Sequence, residues 1–403
     1  MTLKVANIGE LTTYNSEKKD IIRKTSMDMI IEEGRISEID KSLPDADEKV
    51  DAYGRLVTPG FVDAHTHPVF AKARADEFGM RVSGTSYQEI ADQGGGIRAS
   101  VNALREMPEE KLLELTKRHL EDFLSLGTTT VEAKSGYGLS TKSELKSLVV
   151  LSEAADSVAI NVVPTFLGAH DFPNEFADNR NGYVDLICDE MIPAVTKQGI
   201  AQFCDVFCEN GWFDVDSSRR ILETGKEHGL KPRLHADEFV DSGAAELAAE
   251  VGAFSADHLM HVSDEGIRKM AEADVVAILL PGTTFFLGKQ TYAPSRKLID
   301  AGISVALATD FNPGSCTIQS MPFIMSLACL YLNMSVEESF MAATQIAAKS
   351  LGRDKSVGSL EVGMEADVVI WDVDRLERIP YHVGGNKVHR VFKSGKEVVY
   401  RGK

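Results

Sequence analysis

Short apolar runs alternate with longer segments in which apolar residues recur every three or four positions. The middle of the chain holds eight such runs: Val57–His65, Thr128–Ala133, Ala159–Phe166, Ala201–Phe207, Lys231–His235, Ala253–His258, Asp274–Leu280 and Ile303–Thr309. Helical patterns separate most of them. Pro108 to Leu126 carries Leu113, Leu120 and Leu124 at helical spacing, with proline at its start and Gly127 behind it. Asp216 to His228 and Asp241 to Val251 have polar caps and a following glycine. Strands alternating with helices predict an α/β fold, a (β/α)8 TIM-type barrel. The alternative is an open doubly wound sheet. No Gly-x-Gly-x-x-Gly follows the first strand, so a dinucleotide-binding version has little support.

The two chain ends have a different texture. Met29 to Ile39 is apolar on both sides of Glu33-Gly34, as in a hairpin. Asp367–Trp371 reads as one strand, and Val388 to Tyr400 as a pair around Ser394-Gly395-Lys396. Neither end could bury a core alone. We expect them to meet as a small β-sandwich domain, residues 1–57 plus 357–403, beside a barrel at 58–356.

Composition narrows the function. The 403 residues carry a net charge of −18, which argues against a nucleic-acid footprint and against an anionic membrane surface. No apolar run approaches the roughly 20 residues of a membrane span. Cys188, Cys204, Cys208, Cys316 and Cys329 are odd in number and scattered, the usage of reduced thiols in a cytoplasmic protein. Cys204 and Cys208 lie in a strand-like run without a second pair, which weighs against a zinc site there.

The candidate chemistry falls at strand ends. Pro59-Gly60-Phe61-Val62-Asp63-Ala64-His65-Thr66-His67 runs an apolar strand into two histidines one residue apart. Residues two apart in a strand point the same way, so both imidazoles can aim at one point. His235 ends the fifth strand, His258 the sixth and Asp310 the eighth. In a barrel of this kind the active site lies at those ends. Each residue alone reads as a polar loop group; five at matched positions read as a metal centre. His65, His67, His235 and Asp310 would hold one divalent metal, Zn2+ or Fe2+/Fe3+, with a position left open for water. Such a cation lowers the pKa of water and supplies hydroxide at neutral pH. Glu238, three residues after His235, could shuttle protons. His258 could polarise a carbonyl oxygen, and Asp310 could accept a proton as well as bind metal.

The Pro59–His67 run, His235-x-x-Glu238, the late Asp310 and the closing Gly358-Ser359-Leu360-Glu361-Val362-Gly363-Met364-Glu365-Ala366-Asp367 resemble the amidohydrolase superfamily. Two-metal members use a carboxylated lysine on strand four; here that strand ends Val206-Phe207-Cys208-Glu209-Asn210, so the resemblance implies one metal. More specific runs are Gly94-Gly95-Gly96-Ile97, Glu132 to Leu139, Thr165 to His170, Asp205 to Glu209 and Asp310-Phe311-Asn312-Pro313-Gly314-Ser315. Together they resemble the imidazolonepropionase family over nearly the full chain. That resemblance implies hydrolysis of 4-imidazolone-5-propanoate to N-formimidoyl-L-glutamate, with no nucleic acid or membrane partner and a homodimer as the expected assembly.

It also implies a substrate set: Arg74 for the propanoate, Tyr137 and His170 for ring or carboxylate, and Glu238, Asn312, Gly314 and Ser315 nearby. Taken alone, Arg74 reads as a surface ion pair with Asp76 or Glu77. The glycines at 94–96 read as a loop able to cover the site. There are two departures. The run before Arg74 is Ala71-Lys72-Ala73, where the family often has Gly-Gly, and Glu238 stands where many members carry Gln. The alternatives are a purine or pyrimidine deaminase and a non-catalytic scaffold; a scaffold has no use for a complete ligand set.

Overall fold

In the computed structural model, which describes residues 2–85, 89 and 95–401, the chain forms two sheets of eight strands each. Strands β1 (Thr2–Asn15), β2 (Asp20–Glu32), β3 (Arg35–Asp40), β4 (Glu48–Asp51) and β5 (Leu56–Pro59) come first. The barrel strands follow: β6 (Phe61–Asp63), β7 (Thr128–Lys134), β8 (Asn161–Ala169), β9 (Phe203–Cys208), β10 (Lys231–Ala236), β11 (Ser255–His258), β12 (Val276–Leu279) and β13 (Val305–Leu307). Strands β14 (Val368–Trp371), β15 (Val388–Lys393) and β16 (Lys396–Tyr400) close the chain.

The terminal sheet runs β16-β15-β14-β5-β1-β2-β3, with β4 beside β1. Its seam is the antiparallel β5–β14 pair, where Thr58 faces Val369. Both two-residue hairpins place φ in the left-handed region: Glu33 and Gly34 at 49° and 78°, Ser394 and Gly395 at 46° and 74°. That geometry matches the twist of the flanking strands. The two turns meet through Ala366, whose N–H donates to Gly34 O while its carbonyl accepts from Gly395 N–H, each 2.9 Å. Val5, Ile8, Leu11, Met29, Val368 and Ile370 supply a separate core on this sheet.

The second sheet runs in sequence order from β6 to β13, every pair parallel. Ring closure uses the segments just past β6 and β13. Asp310 N–H donates to His65 O at 3.0 Å, and His67 N–H donates to Phe311 O at 2.8 Å. The strand expected at Val57–His65 is divided at Gly60, where the chain passes from one sheet to the other. A Cβ there would lie 2.2 Å from Thr129 Oγ1, so only glycine permits the crossing. Trp371 braces the joint, donating Nε1–H to Thr58 Oγ1 at 2.8 Å and lying 5.5 Å from the Phe61 ring.

Two helical expectations shift slightly. In the helix Glu109–Ser125, Leu112 is fully buried and Leu113 only partly so, because Phe123 and Leu124 set the inward face. The helix expected from Asp241 begins at Ala244. Asp237 accepts from Ala244 N–H at 3.2 Å and Ala245 N–H at 3.1 Å, and so caps it from outside. All five cysteines are free. No helix of the described residues is long and apolar enough to cross a membrane.

Candidate metal centre and substrate cavity

The parallel strands deliver their last residues to one rim. His65 and His67 follow β6, His235 lies in β10, His258 ends β11 and Asp310 follows β13. All five are buried. One ligand atom from each of His65, His67 and Asp310 lies within 4.8 Å of the others, and the same holds for His65, His235 and His258. His65 is common to both groups. His65 Nε2 and His67 Nε2 approach to 3.3 Å, and Asp310 Oδ1 lies 3.5 and 3.4 Å from them. His258, read from sequence as a group to polarise a carbonyl oxygen, stands beside the other histidines. Its Nε2 is also 3.7 Å from Glu238 Oε2.

The rim is held in uncommon backbone conformations. Asp310, His258 and Asp237 have φ of 54°, 78° and 50°. Such values cost about 1–3 kcal/mol each for non-glycine residues and persist where surrounding structure enforces them. Asp310 Oδ2 accepts from Thr283 Oγ1 at 2.5 Å, which fixes the carboxylate face turned toward the histidines. Below it, Thr309 donates N–H and Oγ1–H to Asp63 at 3.0 and 2.7 Å.

Electrostatics favour neutral imidazoles. Burial, with neighbouring positive groups such as Lys134 or His235, pushes His65, His67 and His170 well below the ordinary histidine pKa. Burial takes His258 down to about 3. His235 goes the other way: burial lowers it, but the charge and hydrogen bond of Asp205 together outweigh burial. Burial and the nearby Asp310 raise Glu238 to about 8.

A cavity of about 400 Å³ opens above this floor. Its wall includes Arg74, Tyr137, His170, Glu238, Asn312, Gly314 and Ser315, so every substrate residue expected from the sequence borders one space. The ion pair expected for Arg74 exists, Nε 3.6 Å from Glu77 Oε2, but both side chains are only 13% exposed. It belongs to the cavity wall and not to the outer surface. Arg74 Nη1 and Nε have no hydrogen-bond partner among the described residues. Its guanidinium lies across Gly314: a Cβ there would fall 1.2 Å from Nη2. Asn312 is spent on its own loop. Its Oδ1 accepts from Gly314 N–H and Ser315 N–H at 2.9 and 2.7 Å, and Nδ2 donates to Asp310 O and Ser315 Oγ at 2.7 and 2.8 Å. His170 Nδ1 is 2.9 Å from Gly136 O, and its ring stacks on His67 at 5.2 Å. Of the run from Gly94 to Ile97, Gly94 lies outside the described residues.

Sequence reasoning missed several wall residues. Arg81 donates Nη1–H to Gly314 O at 3.0 Å. Phe207, Trp212, Phe239 and Lys289 also line the cavity. Arg81 sits one helical face on from Arg74 and Glu77, in the helix Ala75–Val82; that spacing was the available signal. Lys289 carried none.

Comparison with known proteins shows the family of the chain. A family model described as amidohydrolase matches residues 89–399. Imidazolonepropionase from Geobacillus thermodenitrificans is 53% identical over 354 residues, 88% of this chain and 83% of its own. Imidazolonepropionase from Alkaliphilus oremlandii is 44% identical over 413 aligned residues, 99% of this chain and 98% of its own. The chain belongs to the imidazolonepropionase family. Among solved structures, an adenosine deaminase from Xanthomonas campestris with bound zinc aligns with TM-score 0.76 at 17% identity, over 99% of this chain and 93% of that one. That likeness concerns the fold.

The donor set of this imidazolonepropionase-family chain fits a divalent cation. Imidazoles and a carboxylate are the ligand types that borderline cations such as zinc and iron take. His235 Nε2 is buried with no hydrogen-bond partner among the described residues, which a buried polar atom rarely tolerates unless something else binds it.

Proposed function

We propose that this protein hydrolyses 4-imidazolone-5-propanoate to N-formimidoyl-L-glutamate. What carries the reading is a cavity with two chemistries: below it His65 is grouped with His67 and Asp310 and also with His235 and His258, donors from which we assign His65, His67, His235 and Asp310 to a cation, and the Arg74 guanidinium stands on its wall. When bound, the cation supplies Lewis acidity and makes hydroxide available at neutral pH. The chain's own groups do the rest. Arg74 offers a planar fork to the propanoate carboxylate. Tyr137 and His170 flank the ring. Neutral His258 donates a hydrogen bond to the ring carbonyl oxygen, on which negative charge develops. Asp310 takes the proton from the attacking water. Oxygen adds to the ring carbonyl carbon, the adjacent C–N bond breaks, and the nitrogen leaves with that proton. Glu238 hydrogen-bonds the ring and keeps its face toward Asp310.

Ultraviolet-monitored turnover of 4-imidazolone-5-propanoate by purified, metal-analysed protein tests this. We expect substrate absorbance to decay with no ammonia released. Release of one ammonia per turnover of a purine or pyrimidine, with this substrate untouched, would replace the reading with a deaminase.

A further inference from the structure

Behind the histidines lies a set of ionisable side chains that no step above uses. Glu132 and Lys134 come from β7, Asp205 from β9, Arg233 from β10 and Asp257 from β11, and all are fully buried. Lys134 Nζ lies 2.7 Å from Asp205 Oδ2, 2.9 Å from Glu132 Oε1 and 4.0 Å from Asp257 Oδ2. Arg233 lies 3.6 Å from Glu132 Oε1 and 3.4 Å from Asp257 Oδ2, and donates to Ala64 O at 2.8 Å. Burying ions costs several kcal/mol each, and well-packed apolar residues of the same volume often do as well or better for stability. Stability alone is therefore a weak reason for this cluster.

The cluster leads to two imidazoles. Asp205 gives Oδ2 to Lys134 and turns Oδ1 to His235 Nδ1 at 3.1 Å. Asp257 Oδ2 meets His65 Nδ1 at 2.6 Å. A neutral imidazole has one N–H and one lone pair. A carboxylate at Nδ1 claims the N–H and leaves the lone pair on Nε2, and Nε2 is the atom of each ring that faces the cation site.

We infer that Lys134 is a positioning residue of the cation site: it anchors Asp205 so that His235 presents Nε2 as a lone pair. Arg233 acts alike on His65 through Asp257. The rival account is plain charge balance, in which Lys134 merely offsets three carboxylates. The two accounts differ when Lys134 and Asp205 are neutralised together, because the cluster then loses one charge of each sign and its sum is unchanged.

The inference rests on the cation site of the proposed function, so the test reads metal directly. Zn2+ affinity by chelator competition and the visible spectrum of the Co2+ form are measured for the parent, Lys134→Met, and Lys134→Met with Asp205→Leu. Both variants should bind Zn2+ about ten- to a hundredfold more weakly, with altered Co2+ bands. Parent-like affinity and spectrum in the doubly changed, folded variant would overturn the inference, and that variant decides alone if Lys134→Met does not fold. A parent that binds no Zn2+ would sink the cation site itself, a distinguishable failure.

Discussion

On the floor of the cavity, His65 and His235 each rest one nitrogen against a buried carboxylate, at 2.6 and 3.1 Å. Those carboxylates are held in turn by Lys134 and Arg233. On the wall, Arg74 leaves Nη1 and Nε without hydrogen-bond partners among the described residues and meets Glu77 only at 3.6 Å. The floor stands on strand ends, the wall on the segments that follow them. The contrast teaches where organisation is built in. The floor holds its imidazoles by hydrogen bonds to buried carboxylates, as metal ligands must be oriented to about half an ångström. The wall leaves charge-assisted bonds to be completed by a carboxylate.

Breaking the floor should have the largest effect. Asp310→Asn should lower kcat at least about a thousandfold, because it removes a general base and a metal ligand together. Its Zn2+ content should fall in parallel. Full activity with metal retained would deny Asp310 both roles. Next comes the wall. Arg74→Ala should raise KM about ten- to a hundredfold, the worth of one or two bonds to a charged group, with kcat little changed. An unchanged KM would mean that the carboxylate is held elsewhere.

Gly314→Ala sharpens the same point without removing charge. Its Cβ would occupy the guanidinium's place, so Arg74 must move. We expect a smaller rise in KM, about tenfold, with metal content unchanged. If KM is unaffected, the observed pose of Arg74 is not the one that binds substrate. The smallest effect should come from Glu238→Gln. Burial raises the pKa of the Glu238 carboxyl, and an amide can replace it as a hydrogen-bonding group, so kcat/KM should stay within about tenfold. A loss comparable to that of Asp310→Asn would make Glu238 a proton carrier.

Much of the floor was legible because a barrel converts sequence position into spatial position. Each strand runs parallel, so the last residue of each arrives at the same rim. That is why His65, His67, His235, His258 and Asp310 could be grouped across more than half the chain. The wall was less legible. Asn312 reads as a substrate group, yet its amide closes the turn that carries Gly314 and Ser315. Short-range hydrogen bonds of this kind compete for the same atoms, and sequence does not say which partner wins. Arg81 shares the helical spacing of Arg74 and Glu77, whereas Lys289 reaches the cavity from a segment with no pattern of its own.

The sequence by itself determined the alternation of strand and helix, the paired terminal strands with their two-residue turns, and the identity of the rim histidines. Those follow from local periodicity and turn chemistry, which act within a few residues. Only the tertiary structure decided that Lys134, Asp205, Arg233 and Asp257 form one buried charge cluster, and that Arg74 lies across Gly314. Both depend on side chains brought together from strands and loops distant in the chain. Their partners are chosen by distance in space, which no local pattern encodes.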